Sequence, residues 1–376
     1  MIGPGGTIGI LGGGQLGWMI SLEAQRMGYR TVVLDPSADC SASRIADKLL
    51  VASFDNETRC RELASKSDVV TLEFERVSHR IYEELEKEFT VHPPSYALLV
   101  IQDRVSQRVF IKANNVPQPE FSLISSAREL DSASKEVGFP AILKVARGGY
   151  DGKNQARVTN IAELKAAWEG FGKERAILER LVNFQKEISV VLARTVEGEV
   201  RAFPVAENEH RDHILFLTVA PARVWASVQE RAIEIATTLA HALNYVGVMA
   251  VEMFVEGDDV LVNEIAPRVH NSGHYTFGAC ATSQFEQHIR AVCGAPLGDV
   301  SMHGPAAMLN LLGDVWENGE PQWEKMFAEF PSARLFLYGK EANSARRKMG
   351  HVTFTGHESA DAAAEAALRA YDILKG

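Results

Sequence analysis

A chain of 376 residues exceeds one ordinary core and predicts two or three domains, at about 100–200 residues each. A hydrophobic content of 46% with only 8% aromatics describes a globular α/β protein and excludes a disordered or fibrous one. The net charge of −10 argues against nucleic acid or an anionic membrane as partner, so any phosphate must be held by local groups.

The predicted elements begin with a buried strand at residues 7–11, the glycine-rich turn Gly12-Gly-Gly14-Gln15-Leu16-Gly17, a helix to about Gly28 and a second strand ending at Asp35. This βαβ start carries a Gly-x-Gly-x-x-Gly pattern followed by an acid. Three readings fit it: a dinucleotide fingerprint, a tight turn of any α/β domain, or a cradle for one sugar phosphate. A further strand over residues 69–75 ends in Glu73-Phe-Glu75, and ligands collect at the carboxyl ends of such strands. A linking helix from about Ser95 to Ala113 leads to a first boundary near residue 103.

The next segment predicts a strand at residues 140–145 carrying Lys144, the glycine loop from Arg147 to Lys153, and strands at 156–158 and 176–182. An ammonium ahead of a glycine loop suits a phosphate, although a strand lysine before a hairpin turn has the same pattern. Beyond Glu187 a larger region opens. There Ser227-x-x-Glu230 reads as a capping box for a helix whose apolar stripe runs through Ile233, Ala236, Leu239, Ala240 and Leu243. The run from Ser359 to Leu374 reads as a last amphipathic helix.

Residues 248–255 and 260–265 alternate as strands around the turn Glu256-Gly-Asp-Asp259. A register centred on Asp258 sets Glu252 directly opposite Glu264, and two facing carboxylates call for a divalent cation; an all-oxygen set favours Mg²⁺ shared with substrate phosphates. A slip of one residue would separate the pair and leave an acidic hairpin. Arg268 and His270 follow in a loop within reach of an anion at that metal. Cys40, Cys60, Cys280 and Cys293 show no metal or redox spacing and are expected as reduced thiols. With no leader-like start and no membrane-length apolar run, the cytoplasm is the expected compartment.

Taken together, Gly-Gly-Gln15-Leu-Gly, Glu73-Phe-Glu75, Gly149-Tyr-Asp-Gly-Lys153, Asn263-Glu264-Ile-Ala-Pro-Arg268 and His270-Asn-Ser-Gly-His274 resemble the ATP-grasp superfamily, and within it the N5-carboxyaminoimidazole ribonucleotide synthetases. The resemblance implies a three-domain α/β architecture, α+β in its nucleotide-binding part: a Rossmann-like pre-ATP-grasp domain over 1–103, a small lid over 104–184, and a large domain with the C-terminal part over 185–376. It implies ATP-dependent carboxylation of aminoimidazole ribonucleotide with bicarbonate, through carboxyphosphate. Other acceptors within the superfamily are the nearest alternative, and an NAD-dependent oxidoreductase a more distant one.

By the same resemblance the ATP site comprises Arg104, Lys144, Gly149, Tyr150, Asp151, Gly152, Lys153, Asn154, Gln155, Glu179, Arg180, Leu181, Val182, Glu187, His210, Asn263 and Glu264. Glu252 and Glu264 would hold Mg²⁺. Gln15, Leu16, Glu73, Tyr150, Asp151, Lys153, Arg347 and Lys348 would surround the ribonucleotide. Arg268, His270 and Lys348 would be catalytic, with His270 expected to take the amine proton. Two departures from the family pattern stand out: Arg76 replaces an Asn after Glu-Phe-Glu, and Asn154 a glycine that tolerates positive φ more readily. A homodimer, and a separate mutase receiving the product, complete what the resemblance implies.

Overall fold

The computed structural model describes residues 1–148, 154–340 and 344–376. Three sheets organise them. The first is parallel, in the order Lys48–Val51, Arg30–Asp35, Thr7–Leu11, Val69–Leu72. Its strands are almost continuously apolar because helices cover both faces. The second is antiparallel, in the order Phe121–Ile124, Ala176–Arg180, Ala141–Val145, Gln155–Val158. The third runs Asp259–Ala266, Gly247–Glu256, Lys186–Arg194, Ala206–Arg211, Ile214–Ala220, Ala306–Leu312, Lys348–Phe354, Arg334–Leu337, with Val200–Ala202 paired to Lys186–Arg194.

The cores show which parts move together. Ile8, Ile10 and Val33 of the first sheet share a core with Val191, Ala250 and Met308 of the third, so these two parts form one block. The second sheet buries Leu143, Leu178, Leu164 and Trp168 in a core of its own. Its remaining apolar contact with the rest is small: Ile177 and Ala146 against Val105 of the helix Arg104–Ala113.

Several elements depart from the sequence reading. The linking helix is two helices, Ser95–Ile101 and Arg104–Ala113, broken where the Asp103 carboxylate accepts from Val105 N (3.0 Å) and Ser106 N (3.1 Å) and so starts the second. The strand expected over 69–75 stops at Leu72, and the chain turns so that Glu73 points back at the glycine turn. The capping box at Ser227 does not form: the helix Ala226–Ala242 starts earlier, with Trp225 O accepting from Val228 N and Gln229 N. Its buried stripe includes Ala232 and Ile235 beside Ala236, Leu239 and Ala240, while Ile233 is only partly buried. The last helix forms as expected, over Ala360–Lys375, and Ser359 caps it, worth about 1 kcal/mol. All four cysteines are free and buried, and among the described residues no helix is long and apolar enough to cross a membrane.

Candidate active site

One cleft of about 1270 Å³ lies where the three sheets meet, and it brings together residues of the glycine turn, Glu73 to Glu75, Lys144, Glu179 to Val182, Glu187, Glu252, Asn263 to Ala266, Arg268, His270 and Lys348. Its floor on the first sheet is the glycine turn, and here the geometry removes the dinucleotide reading. Glu73 Oε1 accepts from Gly14 N at 2.5 Å and Oε2 from Gly17 N at 2.6 Å, so a carboxylate of the protein occupies the place a pyrophosphate would need. Asp35, the acid a ribose would use, accepts from Gly13 N at 2.9 Å instead. A Cβ on Gly17 would run into the Gly12 carbonyl, which explains the third glycine by packing alone. Gln15 and Leu16, just past the turn, face the cleft.

From the lid, Lys144 is buried and its Nζ lies 2.7 Å from Glu179 Oε2, which excludes the surface-lysine reading. Glu179 is also forked by Arg108, Nε to Oε1 at 2.7 Å and Nη2 to Oε2 at 3.1 Å. Burial alone would push the Glu179 carboxyl up, but Arg108 and Lys144 outweigh it and hold the group down at about 2. Leu181 and Val182 line the cleft beside it, while Arg180 pairs with Glu256 at 2.8 Å and with Glu120. Glu187 and His210 form a hydrogen-bonded pair on the large sheet. Asn154 takes φ of +57°, a left-handed conformation that Asn tolerates better than other substitutes for glycine. Gln155 opens the following strand. Gly149, Tyr150, Asp151, Gly152 and Lys153 lie outside the described residues.

Glu252 and Glu264 are directly paired across the hairpin, as the metal reading requires, but not through the expected turn. Glu256 pairs with Asp259, leaving a two-residue loop in which Gly257 takes φ of +64°. The pairing then runs Val255 to Val260 and Met253 to Val262, a register that would set Asn263 opposite Glu252. A bulge at Asn263 absorbs one residue and returns Glu264 to that position. In a regular strand consecutive side chains point to opposite faces; the bulge lets Asn263 and Glu264 both face the cleft.

The edge of this strand is secured by the helix Arg104–Ala113. Arg108 donates to Val262 O (2.7 Å) and Asn263 O (2.8 Å), Gln107 bonds both backbone groups of Ile265, and Pro117 O accepts from Val262 N. Arg108 thus ties the bulge to the lid carboxylate, while Arg104 Nη1 reaches Glu264 at 3.4 Å. The sequence reading missed Arg108, although its position one helical turn beyond Arg104 placed both on one face.

Burial pushes the Glu252 carboxyl up to about 7; His210 lowers it and Glu264 raises it further. The His270 ring lies beside it, Nε2 to Oε1 at 3.3 Å. Arg268 is held by Glu75, Nε to Oε2 at 2.9 Å, and burial drives the His270 imidazolium well below its usual range, with Arg268 and Lys348 adding to the effect.

The motif around it is built in. Gln284 accepts from His270 N (2.9 Å) and donates to His270 O (2.8 Å), and Asn271 and Asn310 exchange amide hydrogen bonds at 2.8 and 3.0 Å. A Cβ on Gly273 would meet Gln284 Oε1 at 2.6 Å. His274 is fully buried against Phe285, Tyr338 and His351, a structural member of the motif.

Lys348 also lines the cleft, close enough to Glu252, His210 and His270 to influence all three, and the backbone carbonyl of Arg347 accepts from Gly313 N. A residue not foreseen joins them: Lys340 donates to Gln15 Oε1 and stands over the Tyr338 ring at 5.4 Å. Burial, with Arg347 and Lys348 close by, drops its ammonium to about 8. Arg76 also lines the cleft, beside Glu75.

Comparison with known proteins agrees with this arrangement. The chain matches the ribonucleotide synthetase preATP-grasp domain over residues 6–102, the ATP-grasp domain over 109–285 and the phosphoribosylaminoimidazole carboxylase C-terminal domain over 306–365. It is 42% identical over 94% of its length to the N5-carboxyaminoimidazole ribonucleotide synthase of Bacillus subtilis strain 168, covering 92% of that protein. A crystal structure of an N5-carboxyaminoimidazole ribonucleotide synthetase with ADP superposes with a TM-score of 0.93 at 41% identity, over 100% of this chain and 99% of that one. The Aspergillus clavatus enzyme in complex with ADP and 5-aminoimidazole ribonucleotide gives 0.88 at 32% identity, over 98% of both chains. A relationship of this depth along almost the whole chain establishes that the protein belongs to the N5-carboxyaminoimidazole ribonucleotide synthase family.

Proposed function

We infer that this protein carboxylates 5-aminoimidazole ribonucleotide with bicarbonate at the expense of ATP, giving N5-carboxyaminoimidazole ribonucleotide, ADP and phosphate in purine biosynthesis. The observation that carries the reading is one cleft lined by both a nucleotide-type set of residues and a further cationic set. Lys144, Glu179 to Val182, Glu187, His210 and the Asn263–Glu264 bulge make up the first; Arg268, Lys340 and Lys348, with Gln15 and His270, make up the second.

The division of labour follows from charge. The lid closes over ATP, with Lys144 and Arg104 facing phosphates. Glu252 and Glu264 fit Mg²⁺: they are opposed oxygen donors, and burial has left Glu252 short of cationic compensation. When bound, the ion would screen charge on the nucleotide phosphates. Bicarbonate oxygen attacks the γ-phosphorus, the bond to ADP breaks, and carboxyphosphate forms beside Arg268, whose guanidinium spreads the transferred charge. Attack by the exocyclic amine on that carbon breaks its bond to phosphate, or that bond breaks first and the amine adds to the CO₂ released; in both cases the amine proton passes to the departing phosphate. Closure of the lid excludes water that would waste the intermediate.

Lys340, Lys348 and Arg347 supply the positive charge that the 5′-phosphate of the ribonucleotide demands. The division into 1–103, 104–184 and 185–376 is part of this reading, supported by the separate core of the second sheet. So are a cytoplasmic homodimer and a separate mutase that takes the labile product, both supported by the family resemblance. The test is ADP formation by the purified protein with each substrate omitted in turn. Turnover that needs both bicarbonate and aminoimidazole ribonucleotide is expected; an ADP rate indifferent to both refutes the reading.

A further inference from the structure

The His270 ring lies at the end of a buried chain of hydrogen bonds whose direction can be read. Its Nδ1 is 3.3 Å from the backbone N–H of Ser272 and 2.9 Å from Ser272 Oγ. A backbone N–H can only donate, so Nδ1 accepts. Ser272 Oγ is 2.8 Å from Ser189 Oγ, Ser189 Oγ is 2.9 Å from Asn208 Nδ2, and Asn208 Oδ1 accepts from the Thr218 hydroxyl at 3.0 Å. All four of these residues are buried, on three neighbouring strands and the 270–274 turn.

Each hydroxyl has one proton to give. The Asn208 amide donates to Ser189, Ser189 to Ser272, and Ser272 to Nδ1, in the same sense as the backbone N–H. The ring proton then sits on Nε2, which faces the cleft 3.3 Å from Glu252 Oε1. The other tautomer would set an N–H against the Ser272 N–H and a lone pair against a carboxylate oxygen, repulsive at both nitrogens.

We propose that Ser272, Ser189 and Asn208 are positioning residues that hold His270 in its Nε2–H tautomer, so that it offers the cleft a hydrogen-bond donor and not a base. Resting on the carboxylation reading, this assigns His270 to an oxygen of bicarbonate or carboxyphosphate. It withdraws His270 as the group that takes the amine proton.

The tautomer is read from ¹⁵N spectra of the histidine-labelled full-length protein at neutral pH without substrates, the His270 signals being identified by their loss in His270→Gln. An unprotonated Nδ1 and a protonated Nε2 are expected. A proton on Nδ1, or an imidazolium, overturns the proposal whatever the variants do. In Ser272→Ala and Ser189→Ala the Nδ1 signal should move toward that of a less hydrogen-bonded imine nitrogen, and kcat for bicarbonate-dependent ADP formation should fall about five-fold, the scale of one lost hydrogen bond, with the KM for ATP within about two-fold. An unchanged spectrum and kcat in both variants also overturns it. Because the spectrum needs no turnover, failure of the carboxylation reading would show separately, as ADP formation that ignores bicarbonate.

Discussion

Lys340→Met removes one charge from the proposed ribonucleotide site while keeping much of the side chain's bulk. The structure sets the size of the effect. The ammonium has fallen from 10.5 to about 8, so the resting site holds this charge at a cost of about 3 kcal/mol relative to water. A phosphate dianion in front of it recovers part of that cost, and a charge-assisted hydrogen bond contributes about 1.5–3 kcal/mol. The KM for aminoimidazole ribonucleotide should therefore rise about 10–100-fold, while the KM for ATP stays within about two-fold, since Lys340 bonds to Gln15 and not to the lid. The pH dependence has a definite sign. Above about pH 8 the free wild-type enzyme loses the proton on Lys340, so its KM for the ribonucleotide should climb there, and Lys340→Met should lack that climb. Initial rates at varied ribonucleotide and saturating ATP, from neutral pH to above 8, measure both. An unchanged ribonucleotide KM in Lys340→Met, or equal rises in both KM values, would refute the placement of the phosphate.

Three other substitutions probe separate parts of the account. Glu264→Gln should lower kcat about 100-fold and raise the Mg²⁺ concentration needed for half-maximal ADP binding, measured by titration calorimetry, because it removes one of two facing carboxylates. Arg108→Met should destabilise the protein by about 3 kcal/mol in urea unfolding and weaken ADP binding as well, since it releases both the Asn263 bulge and Glu179. Gly17→Ala should cost about 1–3 kcal/mol in the same unfolding assay, because its Cβ meets the Gly12 carbonyl; an unchanged midpoint would mean that the turn can shift.

The parts of the fold that obey local periodicity were legible in the sequence. Three of the four parallel strands of the first sheet, the hairpin and the last helix follow from apolar runs and alternation, while the edge strand Lys48–Val51 was not foreseen. Some departures arise where a long-range partner overrides a local signal. Asp103 was a local N-cap signal that the reading passed over, and its other partners, Arg147 and Arg175, lie far along the chain. The facing of Glu252 and Glu264 was correct although the turn was misplaced, the bulge at Asn263 compensating for the shift. Two consecutive polar residues, Asn263 and Glu264, in an otherwise alternating strand were the available sign of that bulge. Lys340 carried no such sign: it reaches Gln15 from 325 positions away, and only the folded chain brings them together. The glycine turn illustrates the reverse. Its pattern is that of a dinucleotide site, yet Glu73 fills the anion position from within.

The central claim is that bicarbonate, and not water, receives the γ-phosphoryl group in this cleft. Incubation with ¹⁸O-labelled bicarbonate, ATP and aminoimidazole ribonucleotide, followed by mass analysis of the phosphate released, tests it directly. Attack by a bicarbonate oxygen and later cleavage of the carbon–oxygen bond leave one ¹⁸O in each phosphate. Phosphate free of label, formed at the same rate as ADP, would contradict the account.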